Sequence, residues 1–216
     1  MIDYVVSIIN SKMTIITIDG NIGSGKSTLL NYIHKNNKIA IDLEPVENWE
    51  LHLKKLYDNN NKSSSYNFQI KVWLDRCWVQ EKSNNILMLM ERSPYFIKSV
   101  FVENAKNEKS ITSDEYDTLQ SLYKKTDILW EPSGYIYLRS DPEQCYKRCI
   151  KRGRESEKNI TLEYIIDIHN LHEEKYLKAV KDNMNIIVID IENKSITEIA
   201  NEITNNYIRK LNTLKN

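Results

Sequence analysis

The chain has 216 residues, enough to bury one sizeable core, and its 30 basic and 30 acidic side chains cancel. No global field draws it to nucleic acid or to a membrane surface, and no run of eighteen apolar residues is present to span a bilayer. Cys77, Cys145 and Cys149 are an odd number without C-x-x-C spacing, which speaks against a disulfide framework or structural zinc and fits a reducing, cytoplasmic setting, so all three read as packing residues.

Residues 1–12 read as an N-terminal extension, and the apolar stretch from Tyr4 to Ile9 lacks the basic flank of a secretory signal. The remainder, 13–216, is expected to form one domain. Its first clear element is a β-branched strand, Thr14 to Ile18, followed by Gly20-Asn21-Ile22-Gly23-Ser24-Gly25-Lys26-Ser27-Thr28. This fits G-x-x-x-x-G-K-[ST], the phosphate-binding loop between a strand and a helix. Glycines let backbone N–H groups turn towards phosphates, Lys26 reaches the β/γ oxygens and the Ser27 hydroxyl can ligate Mg²⁺. A dinucleotide fingerprint would need a third glycine at Thr28. Three of the chain's five glycines lie in this loop, so a chance glycine turn explains it poorly.

A helix should start near Gly25, presenting its positive end to the phosphates. Lys38 to Leu43 reads as a second strand ending at Glu44-Pro45, where a carboxylate faces the crevice at the carboxyl end of an open α/β sheet. Glu44 is therefore a candidate base. Leu51 to Tyr57 can be helical, Asp58 to Ser65 is a polar linker, and Tyr66 to about Lys82 returns to helical spacing with Phe68, Gln69, Trp73 and Arg76. Gln69 and Arg76, seven apart, share a face.

Asn85 to Met90 predicts a third strand, again ending in charge at Glu91-Arg92-Ser93-Pro94, where a P-loop protein places a second Mg²⁺-associated carboxylate. A helix holding Phe96, Ile97, Val100, Phe101 and Val102 follows, and Thr112 to Glu115 has capping-box spacing for another. Gly134 to Arg139 is a fourth strand, and Asp141-Pro142 opens a helix that runs into Lys147 to Arg154, where five of eight residues are basic. Such a run is usually a solvated face, but at a helix end in a P-loop protein it suits a lid over donor phosphates. A long amphipathic helix from about Leu162 to Val180 carries His169-x-x-His172-Glu173, which lacks an evident third zinc ligand. Asn185 to Asp190 is the fifth strand, and Ser195 to Glu198 caps a final helix.

Taken in order, Gly20 to Thr28, Glu44-Pro45-Val46 with Trp49, Phe68-Gln69, Glu91-Arg92-Ser93, Arg148/Arg152/Arg154 with Glu157, and His169-x-x-His172-Glu173 resemble the eukaryotic-type deoxynucleoside kinases over about residues 14–192. The resemblance implies an α/β P-loop kinase fold: a five-stranded parallel sheet with helices on both faces and an arginine-rich lid at about 148–158. It implies transfer of the ATP γ-phosphoryl group to the 5′-hydroxyl of a deoxynucleoside, with Mg²⁺ as cofactor and a homodimer as the assembly. Glu44 would then be the general base, Arg92 would hold the same region, and Lys26, Ser27 and Glu91 would manage donor phosphates and metal. Arg148, Arg152 and Arg154 would form the lid. Gln69 would read the base edge, Phe101 and Phe68 would sandwich the base, Trp49 would line the pocket, and Tyr57 and Glu157 would hold the 3′-hydroxyl.

Two positions bear on specificity. Arg76 falls where the cytidine- and guanosine-preferring members of the family carry arginine, yet Ile97 stands where they carry its aspartate partner. Arg76 is therefore expected to face the base with Asp75 as its nearest alternative partner, or to turn out to solvent. Phe101 to Asn104 and Leu162 to Tyr164 resemble the thymidine-preferring and multisubstrate members, which favours a pyrimidine. A nucleoside monophosphate kinase is the nearest rival, but Glu44 would repel an acceptor phosphate. A GTP-binding module is opposed by Ile196 where N-K-x-D needs aspartate.

Overall fold

The computed structural model describes residues 14–57, 63–77, 87–129 and 131–208. Expectations for residues 1–12, for residues 58–62 of the polar linker and for helix beyond residue 77 fall outside these segments, whereas residues 63–65, expected in that linker, already belong to the helix Ser63–Arg76.

Five strands, β1 (Thr14–Gly20), β2 (Ala40–Asp42), β3 (Leu87–Glu91), β4 (Gly134–Arg139) and β5 (Ile186–Asp190), form one parallel sheet in the order β2-β3-β1-β4-β5. The register sets Ile16 beside Leu89 on one side and Gly134 on the other. All seven residues of β1 are buried. That is why it reads as a continuous β-branched run rather than an alternating one: crossover connections cover both faces of a parallel strand. β2 is shorter than the sequence predicts, because Lys38 adopts a left-handed conformation (φ 57°) and closes the preceding helix by donating its N–H to the His34 carbonyl.

The helices are α1 (Lys26–Asn37), α2 (Val46–Leu56), α3 (Ser63–Arg76), α4 (Pro94–Phe96 and Glu103–Asn107, joined by the π-helical segment Ile97–Val102), α5 (Ser113–Leu129), α6 (Pro142–Arg152), α7 (Leu162–Lys181) and α8 (Ile196–Asn201). The expected start signals are present. Asp141 Oδ1 accepts from the Gln144 N–H at 2.9 Å with Pro142 in the first turn, and capping boxes form at Thr112/Glu115 and Ser195/Glu198. α2 begins five residues earlier than the spacing of Leu51 to Tyr57 predicts, directly after Pro45, whose ring leaves no N–H to satisfy at a helix start. α4 departs from a regular helix: its π-helical segment presents both Ile97 and Phe101 to the cleft described below, while Phe96 and Val100 are fully buried.

Two cores result. Ile16, Ile18, Leu89, Ile136 and Leu138 of the sheet pack against Leu29, Leu30 and Ile33 of α1 and against Ile199 and Ala200 of α8. A second cluster contains no strand residue and joins Trp49 and Leu53 of α2, Phe68 and Val72 of α3, Ile97 and Val102 of α4, and Leu119 and Tyr123 of α5. The cleft opens between the strand ends and this helical cluster.

Candidate active site

The phosphate loop is built against α6. Gly23 has φ +80°, and a Cβ there would lie 2.3 Å from the Cys145 carbonyl oxygen and 2.8 Å from Cys149 Sγ. A Cβ on Gly20 (φ +144°) would lie 2.6 Å from the Leu138 carbonyl oxygen. Both positions require glycine on conformation and on space. The two cysteines thus have a packing task, forming the floor that keeps the loop in place. Asn21 ties the loop down from the other side, donating through Nδ2 to the Ile165 carbonyl at 2.9 Å and accepting the Ile22 N–H on Oδ1 at 2.8 Å.

Lys26 folds back over the loop and donates to the carbonyls of Gly20 (3.1 Å) and Asn21 (2.9 Å). Burial, with the nearby Arg92 charge, pulls its pKa down to about 8. Ser27 Oγ donates to Glu91 Oε1 at 2.8 Å, and Glu91 Oε2 accepts the Glu44 N–H at 3.3 Å. A hydroxyl and a carboxylate side by side at a phosphate loop are hard oxygen donors of the type Mg²⁺ takes when nucleotide phosphates and water complete its shell. Residues Ile22, Gly23, Gly25, Lys26, Ser27 and Thr28 face the cleft, whereas Asn21 and Ser24 are buried in the loop's support.

The ends of β2 and β3 meet across this loop. Arg92 Nε donates to Glu44 Oε1 at 2.5 Å, its Nη1 reaches the Gly20 carbonyl at 3.3 Å, and its guanidinium lies 4.3 Å from the Phe101 ring centre. Burial alone would raise the Glu44 pKa, but the Arg92 and Lys26 charges outweigh it and hold Glu44 below the usual carboxylate range. Arg92 itself has φ +67°, a left-handed conformation that costs a non-glycine residue about 1–3 kcal/mol and is commonest at functional sites.

The cleft spans about 840 Å³, part of it open solvent at its mouth, and continues from the loop past Glu44 into the helical cluster. There Trp49, Phe68, Gln69, Val72, Ile97 and Phe101 form a slot, with Trp49 and Phe68 edge to face at 5.8 Å. Gln69 Oε1 is buried without a hydrogen-bond partner among the described residues. Tyr57 and Tyr164 meet edge to face at 5.7 Å beside it, and burial raises the Tyr57 pKa well above its ordinary value, so Tyr57 keeps its proton and can donate. Glu157 accepts from Arg152 Nη2 at 2.5 Å and from Arg154 Nη1 at 3.2 Å, so both arginines rest on a carboxylate at the mouth of the slot.

Outside the phosphate loop, two expected site residues are not brought to the cleft. Arg76 does not face the base. Its side chain is 2 % exposed and is consumed by Asp42 Oδ1 at 2.9 Å, the Leu43 carbonyl at 3.2 Å and the Glu91 carbonyl at 2.8 Å. A guanidinium under the sheet edge takes the carboxylate and carbonyls that surround it, and Arg76 becomes a brace between the ends of β2 and β3. Its partner is Asp42 and not Asp75, which accepts from Trp49 Nε1 and pairs with Lys71. Arg148 lies on α6 with Nη1 on Ser140 Oγ at 3.0 Å, away from the cleft lining. The His169-x-x-His172-Glu173 run is absorbed by packing: His172 packs against both Phe96 and Tyr137, and Glu173 accepts from Arg139 and Tyr137. Sequence reading missed Val46, Leu53, Leu56, Val72 and Tyr164 in the lining. The first three share a helical stripe with Trp49, so extending that stripe along α2 would have found them.

The family profile for deoxynucleoside kinase matches residues 16–213. This chain belongs to the deoxynucleoside kinase family. It is 29 % identical over 194 residues to human mitochondrial thymidine kinase 2, covering 84 % of this chain and 71 % of that protein. It is 30 % identical over 216 aligned positions to deoxycytidine kinase 2 of Gallus gallus (82 % and 81 % covered), and 27 % identical over 190 to putative kinase protein 029R of Invertebrate iridescent virus 3 (88 % and 93 %). Among solved structures it is similar to the deoxyadenosine kinase of M. mycoides with dCMP and a flexible dCDP bound, with a TM-score of 0.76 and 25 % identity over 93 % of this chain and 100 % of that one. The kinase therefore transfers a phosphoryl group from a nucleoside triphosphate to the 5′-hydroxyl of a nucleoside.

Proposed function

We propose that this kinase phosphorylates pyrimidine deoxynucleosides with ATP and Mg²⁺ in nucleotide salvage, using Glu44 as the base. The observation that carries the reading is the Glu44–Arg92 pair, which stands where the phosphate loop and the slot join. A 5′-hydroxyl placed between them meets a carboxylate that is ionised at neutral pH and an arginine free to shift onto the transferring phosphoryl group.

Phosphoryl transfer has a loose transition state and asks little deprotonation of its nucleophile, so a weak base suffices. As Arg92 moves towards the phosphates, Glu44 loses its counter-charge and gains proton affinity when the hydroxyl proton must be accepted. Lys26 leaves the Gly20 and Asn21 carbonyls for donor oxygens, and Arg152 and Arg154 leave Glu157 for the same charge. Ser27 and Glu91 would hold Mg²⁺, which supplies Lewis-acid neutralisation of the donor phosphates when bound. Glu157, relieved of its arginines, and Tyr57 are then available to the sugar 3′-hydroxyl.

The pyrimidine preference follows the resemblance at Phe101 to Asn104 and Leu162 to Tyr164, and the slot's chemistry is compatible with it. With Arg76 committed to Asp42, the walls around Gln69 are apolar or aromatic, and the Gln69 amide offers one acceptor and one donor side by side. That pattern suits the N3–H and O4 of thymine, and after an amide flip the N3 and N4–H₂ of cytosine. Two further parts of the proposal, the arginine lid and a homodimer, follow the family resemblance. A cytoplasmic location follows the cysteine usage; among the described residues, no helix is long and apolar enough to cross a membrane.

The test is a panel of thymidine, deoxycytidine, deoxyadenosine and deoxyguanosine with ATP and Mg²⁺, compared by kcat/KM. Both pyrimidines should exceed both purines by at least about tenfold, the discrimination that 1.4 kcal/mol supplies. A purine at the head of the panel would overturn the base assignment and leave the family activity standing.

A further inference from the structure

Asp19 is a carboxylate for which the reaction above has no use. It is the penultimate residue of β1, fully buried and immediately before the phosphate loop. Burial raises its pKa to about 6, against the opposing pull of Ser93 and Arg92, so an ionisable group is held here at a cost that an apolar strand residue would avoid. What it touches is specific. Asp19 Oδ1 accepts two hydrogen bonds from one residue, the Ser93 N–H at 2.7 Å and the Ser93 Oγ–H at 3.0 Å.

Ser93 is also the N-cap of α4, its Oγ accepting the Phe96 N–H at 3.1 Å. One residue earlier, the Arg92 N–H donates to the Ile18 carbonyl at 2.9 Å. The end of β1 therefore grips the backbone of residues 92 and 93 through two consecutive N–H groups, one held by a main-chain carbonyl and one by the Asp19 side chain. Between those grips Arg92 takes φ +67°. A residue that can relax will leave such a conformation, and its guanidinium would then leave Glu44, the Gly20 carbonyl and the Phe101 face together.

We infer that Asp19 is a positioning residue for the transfer step: its paired acceptance from Ser93 holds Arg92 in the left-handed conformation that aims the guanidinium at the reacting groups. The inference rests on the assignment of Arg92 to the transferring phosphoryl group. Two donors converging on Oδ1 explain why an acceptor side chain stands here, a demand that no apolar residue meets, while Oδ2 has no hydrogen-bond partner among the described residues.

The experiment is a double-mutant cycle on kcat in single turnover, with Asp19→Ala, Arg92→Ala and the double variant, alongside the KM for each substrate. Asp19→Ala should lower kcat about 10–100-fold, less than the roughly 10²–10³-fold for removing an oriented donor outright, while the KM for ATP stays within about twofold. In the Arg92→Ala background the same change should cost less than about threefold, because the group it positions is gone. Asp19→Asn, which keeps an acceptor oxygen, should recover most of the activity. Multiplicative losses in the cycle, or an Asn variant as poor as Ala, would overturn the positioning role. An Arg92→Ala enzyme with unchanged kcat would overturn the reading of Arg92 and this inference with it. If Asp19→Ala does not fold, Ser93→Ala carries the cycle: it removes one of the two bonds to Asp19, and its loss of kcat must again shrink in the Arg92→Ala background.

Discussion

The two ends of the cleft are built in opposite ways. At the phosphate end, one contiguous stretch from β1 into α1 supplies nearly every group, and most contacts run through backbone atoms whose geometry is fixed by Gly20 and Gly23 against α6. At the base end, α2, α3, α4 and α7 contribute side chains from segments far apart in sequence, and no backbone motif fixes their arrangement. On the proposed function, the phosphate end tolerates little change within itself and carries the chemistry common to the fold, and the base end can exchange one side chain at a time and carries selectivity. Glu44 and Arg92 stand at the seam and belong to both.

That contrast can be broken experimentally, and the largest effect should come at the seam. Glu44→Gln keeps shape and removes the base; kcat should fall about 10²–10⁴-fold with little change in the KM for ATP. A loss confined to tenfold would place the proton elsewhere. Next, Lys26→Met removes the charge over the loop and should lower kcat about 10²–10³-fold whichever nucleoside is offered, as measured across the same panel. A base-dependent loss would blur the two ends into one.

Smaller effects should separate the ends further. Arg152→Ala should raise the KM for ATP about tenfold, equivalent to about 1.4 kcal/mol, with a lesser effect on the nucleoside. At the base end, Ile97→Asp should weaken thymidine and deoxycytidine together, about tenfold, because a carboxylate placed in the slot has no partner once Arg76 is bound to Asp42. A changed ratio between the two would show that Arg76 swings into the slot after all.

The mildest prediction concerns pH. Lys26 has a depressed pKa of about 8, so in the free enzyme it loses its charge as pH rises through 8, and donor phosphates must restore the proton. ATP affinity should drop about fourfold between pH 7 and pH 8.5, and calorimetry in buffers of different ionisation heat should register proton uptake on binding. Thymidine affinity should not follow the same curve.

The same contrast explains which features the sequence revealed. The loop, the five strands and the charges that end β2 and β3 were legible because each is a local pattern: a fixed spacing, a buried run, a proline after a carboxylate. The sheet made their convergence automatic, since parallel strands deliver their carboxyl ends to one edge. Arg76 misled because its fate depends on which face of α3 meets the sheet, and its partner Asp42 lies 34 positions away. The π-helical segment of α4 leaves no spacing signature, and Asp19 looks like any polar residue closing a strand until Ser93 is placed above it. Arg148 shared a basic run with Arg152 and Arg154, but a run does not say which of its members turn inward.

The central claim is that the group accepting the phosphoryl is a nucleoside hydroxyl held by a carboxylate, and one competition tests it directly. Thymidine and thymidine 5′-monophosphate are offered together at equal concentration with γ-labelled ATP and Mg²⁺, and the labelled products are separated at early times. The account predicts label in the monophosphate, from thymidine, with the diphosphate at least about a hundredfold behind, since Glu44 repels an incoming acceptor phosphate. Label accumulating first in the diphosphate would contradict it and make the cleft a monophosphate kinase site.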